Sequence, residues 1–233
     1  MASTGLRLPT TFRGRLTGIV LVGLVVRLAH VFLVAANNPL SGDAAGYHLA
    51  ANLFADGLGF PEPLRHYFGG LDEVVLADGT TRIVETPVGH LERTAGHPPV
   101  WTVILGAFAF LGATTVLQQQ VVSALLGLPA VVLMALLGRQ VHSERLGLVA
   151  AAITATYAFV WVNDGLIVSE TAAIAAAAGT MVVGVDFWRS PTRRRAAILG
   201  LIGGLAALTR AELVLFLPVV AAVVLLQAPL PWR

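Results

Sequence analysis

The sequence contains no cysteine, no lysine and few charged residues of any kind. The absence of cysteine excludes disulfide bonds, thiol catalysis and thiolate metal sites. Charged residues make up 12% of the chain, and a soluble domain would carry roughly twice that share. Hydrophobic residues instead make up 56%, and the mean hydropathy is +0.79. Several apolar runs approach or exceed the ~20 residues that cross a bilayer, so the composition predicts an integral membrane protein.

The first apolar run predicts a transmembrane helix over residues 16–37. Three arginines precede it, at positions 7, 13 and 15, and they favour a cytoplasmic N-terminus. A cleavable signal peptide is the alternative, because Ala35 and Ala36 are small. The run is longer than a signal-peptide core and carries Arg27 inside it, so we predict a retained helix.

Residues 38–116 are predicted to form an extracytoplasmic loop. Residues 38–117 carry eight acidic residues and three arginines, a net charge of −5, which favours the outer side of the membrane. The stretch "VVLADGTTRIV" predicts a β-hairpin that turns at Asp78 and Gly79. The later stretch "HPPVWTVILGAFAFLG" is apolar but short, which favours an interfacial or re-entrant helix over a membrane span.

Five further helices are predicted, over residues 117–138, 146–163, 168–188, 196–209 and 212–229. One arginine cluster lies at positions 139 and 145, and a second at 189 and 193–195. Both favour the cytoplasmic side. A single tilted helix over 196–226 is the alternative for the last pair. The predicted fold is an all-α polytopic bundle of about six helices, forming one domain over residues 1–233.

Asp43 is predicted to begin a helix in the loop, as an N-cap or first-turn residue, and Gly57 to end it. Tyr47 then lies one turn along, on the same face. Leu49 and Leu53 form an apolar stripe, so the helix can lie in the membrane interface. A carboxylate there can accept a proton from an incoming hydroxyl group. An ordinary cap on an amphipathic surface helix is the alternative.

Two further acids, Asp164 and Glu170, flank the stretch "GLIVS" on the predicted outer face. Their spacing places them on different faces, so one is expected to cap a helix and the other to point inward. Glu170 begins a run of alanines, where an ionised side chain needs a partner or a wet cavity. His97 precedes two prolines that suit a first helical turn. His97 could bind a phosphate or orient Asp43, and a solvated turn is the alternative.

Arg27 and Arg210 are the two arginines that lie within apolar runs. A buried arginine is costly and pairs with an anion, and a guanidinium below the outer surface suits a lipid-linked phosphate. For Arg210, an ion pair with Glu212 or Glu170 is the alternative.

These motifs occur in the order found in a known family. Arg27 lies in the first helix, and Asp43 and Tyr47 are followed by "LAANLFADGLGF". His97 opens His-Pro-Pro, and "NDGLIVSET" and "GLAALTRAELVLFLP" come later. The sequence resembles the N-terminal half of GT-C glycosyltransferases of the family-39 kind, which include protein O-mannosyltransferases and lipid A aminoarabinose transferases.

The resemblance implies a helical wall around an outward cavity and a polyprenyl-phosphate sugar as donor. It implies that Asp43 assists the attack of an acceptor hydroxyl on the anomeric carbon, with inversion, and that arginines stabilise the departing phosphate. The sugar would be a hexose or pentose, and the acceptor a glycan, lipid or protein at the outer face of the cell membrane. The candidate catalytic residues are Asp43, Glu170 and Asp164. The candidate substrate-binding residues are Tyr47, His48, His97, Arg27 and Arg210.

Family members are usually longer than this chain, with further helices and a later outer loop. The sequence is therefore expected to be a fragment, a split protein that needs a second subunit, or a degenerate copy. The alternative function is a non-catalytic membrane subunit, or a lipid-binding half of such a protein. A small transporter is disfavoured because the polar residues do not cluster at mid-membrane. No cofactor is assigned, a divalent metal ion is left open, and no nucleic acid partner is expected.

Overall fold

A computed structural model describes residues 11–94 and 96–227. These residues form an all-α fold with one small β-hairpin, as predicted. The α-helices are α1 (Phe12–Leu33), α2 (Asp43–Ala55), α3 (Pro63–Phe68), α4 (Pro99–Phe110), α5 (Val116–Leu126), α6 (Leu128–Val141), α7 (Glu144–Thr156), α8 (Ala158–Trp161), α9 (Glu170–Arg189), α10 (Arg193–Ala207) and α11 (Phe216–Gln227). The strands are β1 (Gly70–Val75) and β2 (Thr81–Thr86), and short 3₁₀ turns cover Ala35–Asn37, Asn163–Leu166 and Ala211–Val214.

Three helical segments among the described residues are long and apolar enough to cross a membrane by themselves. They are Phe12–Asn37, Val116–Val141 and Glu170–Arg189. A fourth span results if Glu144–Thr156 and the following segment to Leu166, bent by 62°, count as one. The chain is therefore a membrane protein, and the number of six crossing helices stays a prediction. Arg7 and the last two residues of the predicted helix 212–229 lie outside the described residues.

The helix predicted over 117–138 consists of two helices, α5 and α6, which meet at Gly127. The first begins with a capping box, in which Thr115 and Gln118 exchange side-chain and backbone hydrogen bonds. Gly127 lies so close to Asp164 that an added Cβ would be 2.2 Å from the Asp164 Oδ2 atom. A residue without a side chain is therefore required where the two helices join.

The predicted hairpin is confirmed. The strands β1 and β2 are antiparallel, with Gly70 opposite Thr86 and Val75 opposite Thr81. Asp78 closes the turn, since its Oδ1 atom accepts a hydrogen bond from the Thr80 amide at 2.9 Å. Gly79 has a φ of 81°, a conformation that glycine adopts without steric cost.

Both arginine clusters lie at one end of the bundle. The Arg139 guanidinium lies 4.8 Å from the centre of the Phe12 ring, at the start of α1. Gln140 donates a hydrogen bond to Asp186 near the end of α9. Arg195, in the second cluster, donates to the backbone carbonyl of the same Asp186. The start of α1, the end of α6 and the end of α9 therefore share one end of the bundle.

The opposite end holds a core in which α2 packs closely against α4. Trp101 and Leu105 of α4 are fully buried there with Ala51 of α2. An added Cβ at Gly106 would lie 2.6 Å from Phe54 Cδ1 and 3.2 Å from the Ala51 carbonyl oxygen. This close crossing fixes the start of α2 beside the residues that precede α4.

Candidate active site

Asp43 is the first residue of α2, as predicted, and its side chain is 73% exposed. The helix ends at Ala55, two residues before Gly57, which has a φ of 82°. The His97 Nε2 atom lies 3.9 Å from the Asp43 Oδ1 atom. The packing of α2 on α4 therefore brings together the carboxylate and the histidine that sequence reasoning had paired.

Tyr47 lies one turn along α2 from Asp43 and is almost fully buried. Its ring packs against the His97 ring, with centroids 4.8 Å apart. Burial raises the pKa of the Tyr47 phenol, and a hydrogen bond with the Ser169 side chain opposes this shift. The phenol therefore stays protonated at neutral pH and can donate a hydrogen bond into the site.

Arg210 lies between the acids Glu170 and Glu212. Its Nη1 atom donates to Glu170 Oε1, and its Nη2 atom donates to Glu212 Oε1 at 3.1 Å. The hydrogen bond with Glu212 raises the pKa of Arg210 and lowers the pKa of Glu212. The alternative that the sequence left open for Arg210, an ion pair with Glu212 or Glu170, is therefore present, and it involves both acids. Glu170 lies in the first turn of α9, at the start of the alanine run. Its ion pair with Arg210 supplies the partner that an ionised side chain needs there.

All of these groups except Glu170 line one cavity of about 230 Å³, which we call the ionic cleft. Asp43, Tyr47 and His97 form one wall, and Ser169, Arg210 and Glu212 form the other. A second cavity, of about 240 Å³, shares Asp43, Tyr47 and His97 and extends toward residues 60–64. Asp43 is therefore reached from two sides.

Arg27 and Asp164, two of the candidate site residues, do not line the ionic cleft. Their side chains are 0% and 2% exposed and form an ion pair of 2.6 Å inside the bundle. The other Asp164 oxygen accepts a hydrogen bond of 2.8 Å from Thr171. Arg27 Nη1 donates to the backbone carbonyls of Gly23 and Ala155. Arg27 and Asp164, each predicted to need an ionic partner or to act in the site, are thus paired with each other.

His48 also lies away from the cleft. Successive helical residues are rotated by about 100°, so His48 leaves α2 on a different side from Tyr47. Its Nδ1 atom is 3.0 Å from the Gln119 Oε1 atom, and the Gln119 amide donates to Asn52 at 3.0 Å. His48 therefore belongs to the contact between α2 and α5.

Sequence reasoning missed Ser169. A serine before Glu170 has the form of a helix cap, but it makes no side-chain capping bond and instead reaches Tyr47. The turn before it is unusual, since Ile167 has a φ of 57° and its carbonyl accepts a hydrogen bond of 3.3 Å from Trp101. No local pattern predicts a β-branched residue in that conformation.

A metal ligand set is not assigned. The described residues contain no group of three or more histidine, aspartate or glutamate side chains that could hold a metal ion. Glu170 and Glu212 converge on Arg210 instead. The divalent metal left open by the sequence stays untested.

The family model described as dolichyl-phosphate-mannose-protein mannosyltransferase matches residues 96–232, more than half of the chain. The chain belongs to this family. It is therefore a membrane glycosyltransferase of the GT-C type, as the motifs predicted. No curated protein and no solved structure matches the chain.

The mannosyltransferase match includes some of the candidate residues and not others. His97, Asp164, Glu170 and Arg210 lie within residues 96–232, and Arg27, Asp43, Tyr47 and His48 precede them. Membership in the mannosyltransferase family implies a lipid-linked sugar donor and an acceptor. The family-39 subdivision and the correspondence to an N-terminal half stay predictions.

Proposed function

We propose that this membrane glycosyltransferase moves a sugar from a polyprenyl-phosphate donor to an acceptor hydroxyl, with Asp43 as the general base. One observation carries the proposal: the Asp43 carboxylate and the Arg210 guanidinium line the same small cavity. A base for the incoming hydroxyl and a cation for the leaving phosphate are the two groups that this reaction needs.

The proposed reaction is a single displacement. The acceptor hydroxyl gives its proton to an oxygen of Asp43, and its oxygen forms a bond to the anomeric carbon. The bond from that carbon to the phosphate oxygen breaks, and the electron pair leaves with the phosphate. Arg210 stabilises the negative charge on the leaving group. Attack from the side opposite the phosphate inverts the anomeric centre.

His97 and Tyr47 act as positioning residues in this proposal. His97 lies 3.9 Å from Asp43 and its ring packs against the Tyr47 ring at a tilt of 40°, so it limits the orientations available to the carboxylate. The Tyr47 phenol keeps its proton and can donate to a phosphate or sugar oxygen.

Glu170 is assigned to Arg210 and not to proton transfer. Together with Glu212 it binds two different nitrogens of the guanidinium, and the lowered pKa of Glu212 keeps that group ionised. A guanidinium held by two carboxylates is fixed in place, and fixed charges stabilise a transition state without the cost of reorganisation. Asp164 is assigned to the support of Arg27, because both side chains are buried in the bundle.

An apolar cavity beside the ionic cleft supports a lipid-linked donor. Its volume is about 550 Å³, and it lies between α4, α9 and the end of α10. Its lining includes Pro99 and Thr209, which directly neighbour Pro98 and Arg210 of the cleft. A ligand with an anionic head and a hydrocarbon chain would contact both cavities.

We also propose the orientation of the chain in the cytoplasmic membrane. Both arginine clusters lie at the end of the bundle opposite the cleft, and clustered arginines favour the cytoplasmic side. The N-terminus would then be cytoplasmic and the cleft extracytoplasmic.

The test of the proposed function is Asp43→Asn, measured as mannose transfer from polyprenyl-phosphate mannose in liposomes. The amide keeps the size of the side chain but cannot take a proton, so we expect a loss on the order of 10²–10⁴ in rate. Asp56→Asn, at the other end of α2, is the matched control and should keep its activity. Full transfer by Asp43→Asn would overturn the assignment. Absence of transfer by the wild type would favour the non-catalytic subunit.

A further inference from the structure

The second cavity beside Asp43 differs from the ionic cleft in its charge. Besides the shared Asp43, Tyr47 and His97, its polar lining includes Glu62 and Thr94. Arg210 does not line it, and no other arginine is among the described residues that do. A phosphate placed there would face two carboxylates with no guanidinium to balance it. The anion therefore belongs to the ionic cleft, and the second cavity suits a neutral group.

Backbone hydrogen bonds hold the far wall of this cavity together. Pro61 pairs with Arg93 in an isolated antiparallel bridge. On either side of the bridge, the Glu62 amide donates to the Glu92 carbonyl at 2.7 Å, and the Thr94 amide donates to the Phe60 carbonyl at 3.0 Å. Residues 60–62 and 92–94 are thus tied to each other by backbone hydrogen bonds. The cavity does not depend on a ligand to form.

The lining combines hydroxyl-binding groups with an apolar surface. Ionised carboxylates only accept hydrogen bonds, so Asp43 and Glu62 select hydrogen-bond donors such as hydroxyl groups. Phe60 packs against Phe54, with ring centroids 5.2 Å apart, and still presents part of its ring to the cavity. A sugar ring offers hydroxyl donors at its edge and C–H groups on its face, so it matches this lining. A peptide matches it less well, because carboxylates cannot donate hydrogen bonds to the peptide carbonyl oxygens.

We propose that the second cavity is the acceptor site and that it takes a neutral carbohydrate, whose hydroxyl then lies beside Asp43. The inference rests on the proposed function, because it names the acceptor for that reaction. It assigns Glu62 and Phe60 to acceptor specificity, and it separates the acceptor from the phosphate, which lies in the ionic cleft beside Arg210.

The absence of cysteine from the chain allows a test that does not depend on turnover. Thr94→Cys places one thiol in the second cavity, and Ala211→Cys places one in the ionic cleft. Each variant is labelled with a maleimide in a detergent without a sugar headgroup. Methyl α-mannoside should slow the labelling of Thr94→Cys and not of Ala211→Cys. Inorganic phosphate should have the opposite pattern. Equal labelling of Thr94→Cys with and without the mannoside would overturn the proposal.

Two substitutions test the site in the transfer assay. Ala50→Phe fills the second cavity and should raise the KM for a mannoside acceptor on the order of tenfold, with the KM for the donor unchanged. Ala45→Phe, which adds the same bulk to α2 outside both cavities, is the control. Glu62→Gln replaces a charged hydrogen-bond acceptor by a neutral amide, and it should cost on the order of tenfold in kcat/KM for the mannoside. It should also reduce the preference for methyl α-mannoside over mannose 6-phosphate.

The outcomes separate this inference from the proposed function. Protection of Thr94→Cys by the mannoside without any transfer would contradict the proposed function and leave the sugar site standing. Transfer to a serine- or threonine-containing peptide, with no protection of Thr94→Cys by the mannoside, would support the proposed glycosyltransferase function and overturn the carbohydrate site. An unchanged acceptor KM in Ala50→Phe would likewise exclude the second cavity as the acceptor site.

Discussion

The Nε atom of Arg27 donates a hydrogen bond of 2.6 Å to the Oδ2 atom of Asp164, and the two residues are 137 positions apart. The pair ties α1 to the segment that leads into α9. That segment carries Ser169, which contacts Tyr47, and Glu170, which holds Arg210. The buried ion pair therefore anchors the loop from which one wall of the ionic cleft is built.

We predict that Arg27→Met destabilises the protein more than Arg27→Met combined with Asp164→Asn. Removing one partner leaves a charge buried without compensation, which typically costs ~3–5 kcal/mol. Removing both charges relieves most of that cost. The amide that replaces the Asp164 carboxylate in the double variant can still accept the hydrogen bond from Thr171. The measurement is thermal unfolding in detergent for both single variants and the double variant.

The double-mutant cycle provides the control for this prediction. Strictly additive losses from Arg27→Met and Asp164→Asn would show that the two side chains are not coupled. That result would contradict the anchoring role of the pair.

A second prediction concerns Gly127, where α5 and α6 join. An added Cβ would lie 2.2 Å from Asp164 Oδ2 and 2.6 Å from Asp164 Cγ. The carboxylate cannot move away without losing its bonds to Arg27 and Thr171. Gly127→Ala should therefore lower the unfolding temperature, and it should lower transfer activity because the same segment supports the cleft.

Gly200→Ala is the matched control for that substitution. Gly200 lies within α10, and an added Cβ would meet nothing within 4 Å. Replacing glycine by alanine inside a helix is expected to stabilise it by roughly 0.5–1 kcal/mol. Equal stability changes at Gly127 and Gly200 would show that the approach to Asp164 is not tight.

The sequence predicted the parts of the fold and of the site that depend on local signals. The helix start at Asp43, the turn at Asp78 and Gly79, and the short apolar helix after His97 all follow from capping residues, turn residues and hydrophobic length. The pairing of Arg27 with Asp164 could not be predicted, because each residue has several ionic partners available in sequence and only the packing of distant helices selects one. The same limit applies to His48, which meets Gln119 across the contact between α2 and α5.

A third prediction concerns the orientation in the membrane. Because residues 38–117 carry a net charge of −5 and the arginine clusters lie at the other end of the bundle, we expect the hairpin outside and the link before α10 inside. Thr81→Cys should react with a membrane-impermeant maleimide in intact cells, and Pro191→Cys only after permeabilisation. Labelling of Pro191→Cys in intact cells would contradict this orientation.

The last prediction concerns Arg210 and the donor phosphate. We expect Arg210→Ala to weaken binding of polyprenyl phosphate more than Arg210→Lys does. The alanine variant removes the cation and leaves Glu170 and Glu212 facing the phosphate, so repulsion adds to the lost attraction. Charge-assisted hydrogen bonds contribute ~1.5–3 kcal/mol each, which corresponds to an affinity loss on the order of tenfold to a hundredfold. Lysine keeps the charge but lacks the planar guanidinium that binds two carboxylates at once.

The measurement is the Kd for polyprenyl phosphate by titration in detergent, with Arg82→Ala on the hairpin as a control for general charge effects. If the phosphate binds beside Arg210, Glu212→Gln added to Arg210→Ala should recover part of the lost affinity, because one repelling carboxylate is removed. Equal binding by the wild type and Arg210→Ala would remove Arg210 from the donor site. It would leave Arg210 the role of an ion-pair partner that joins the start of α9 to the end of α10.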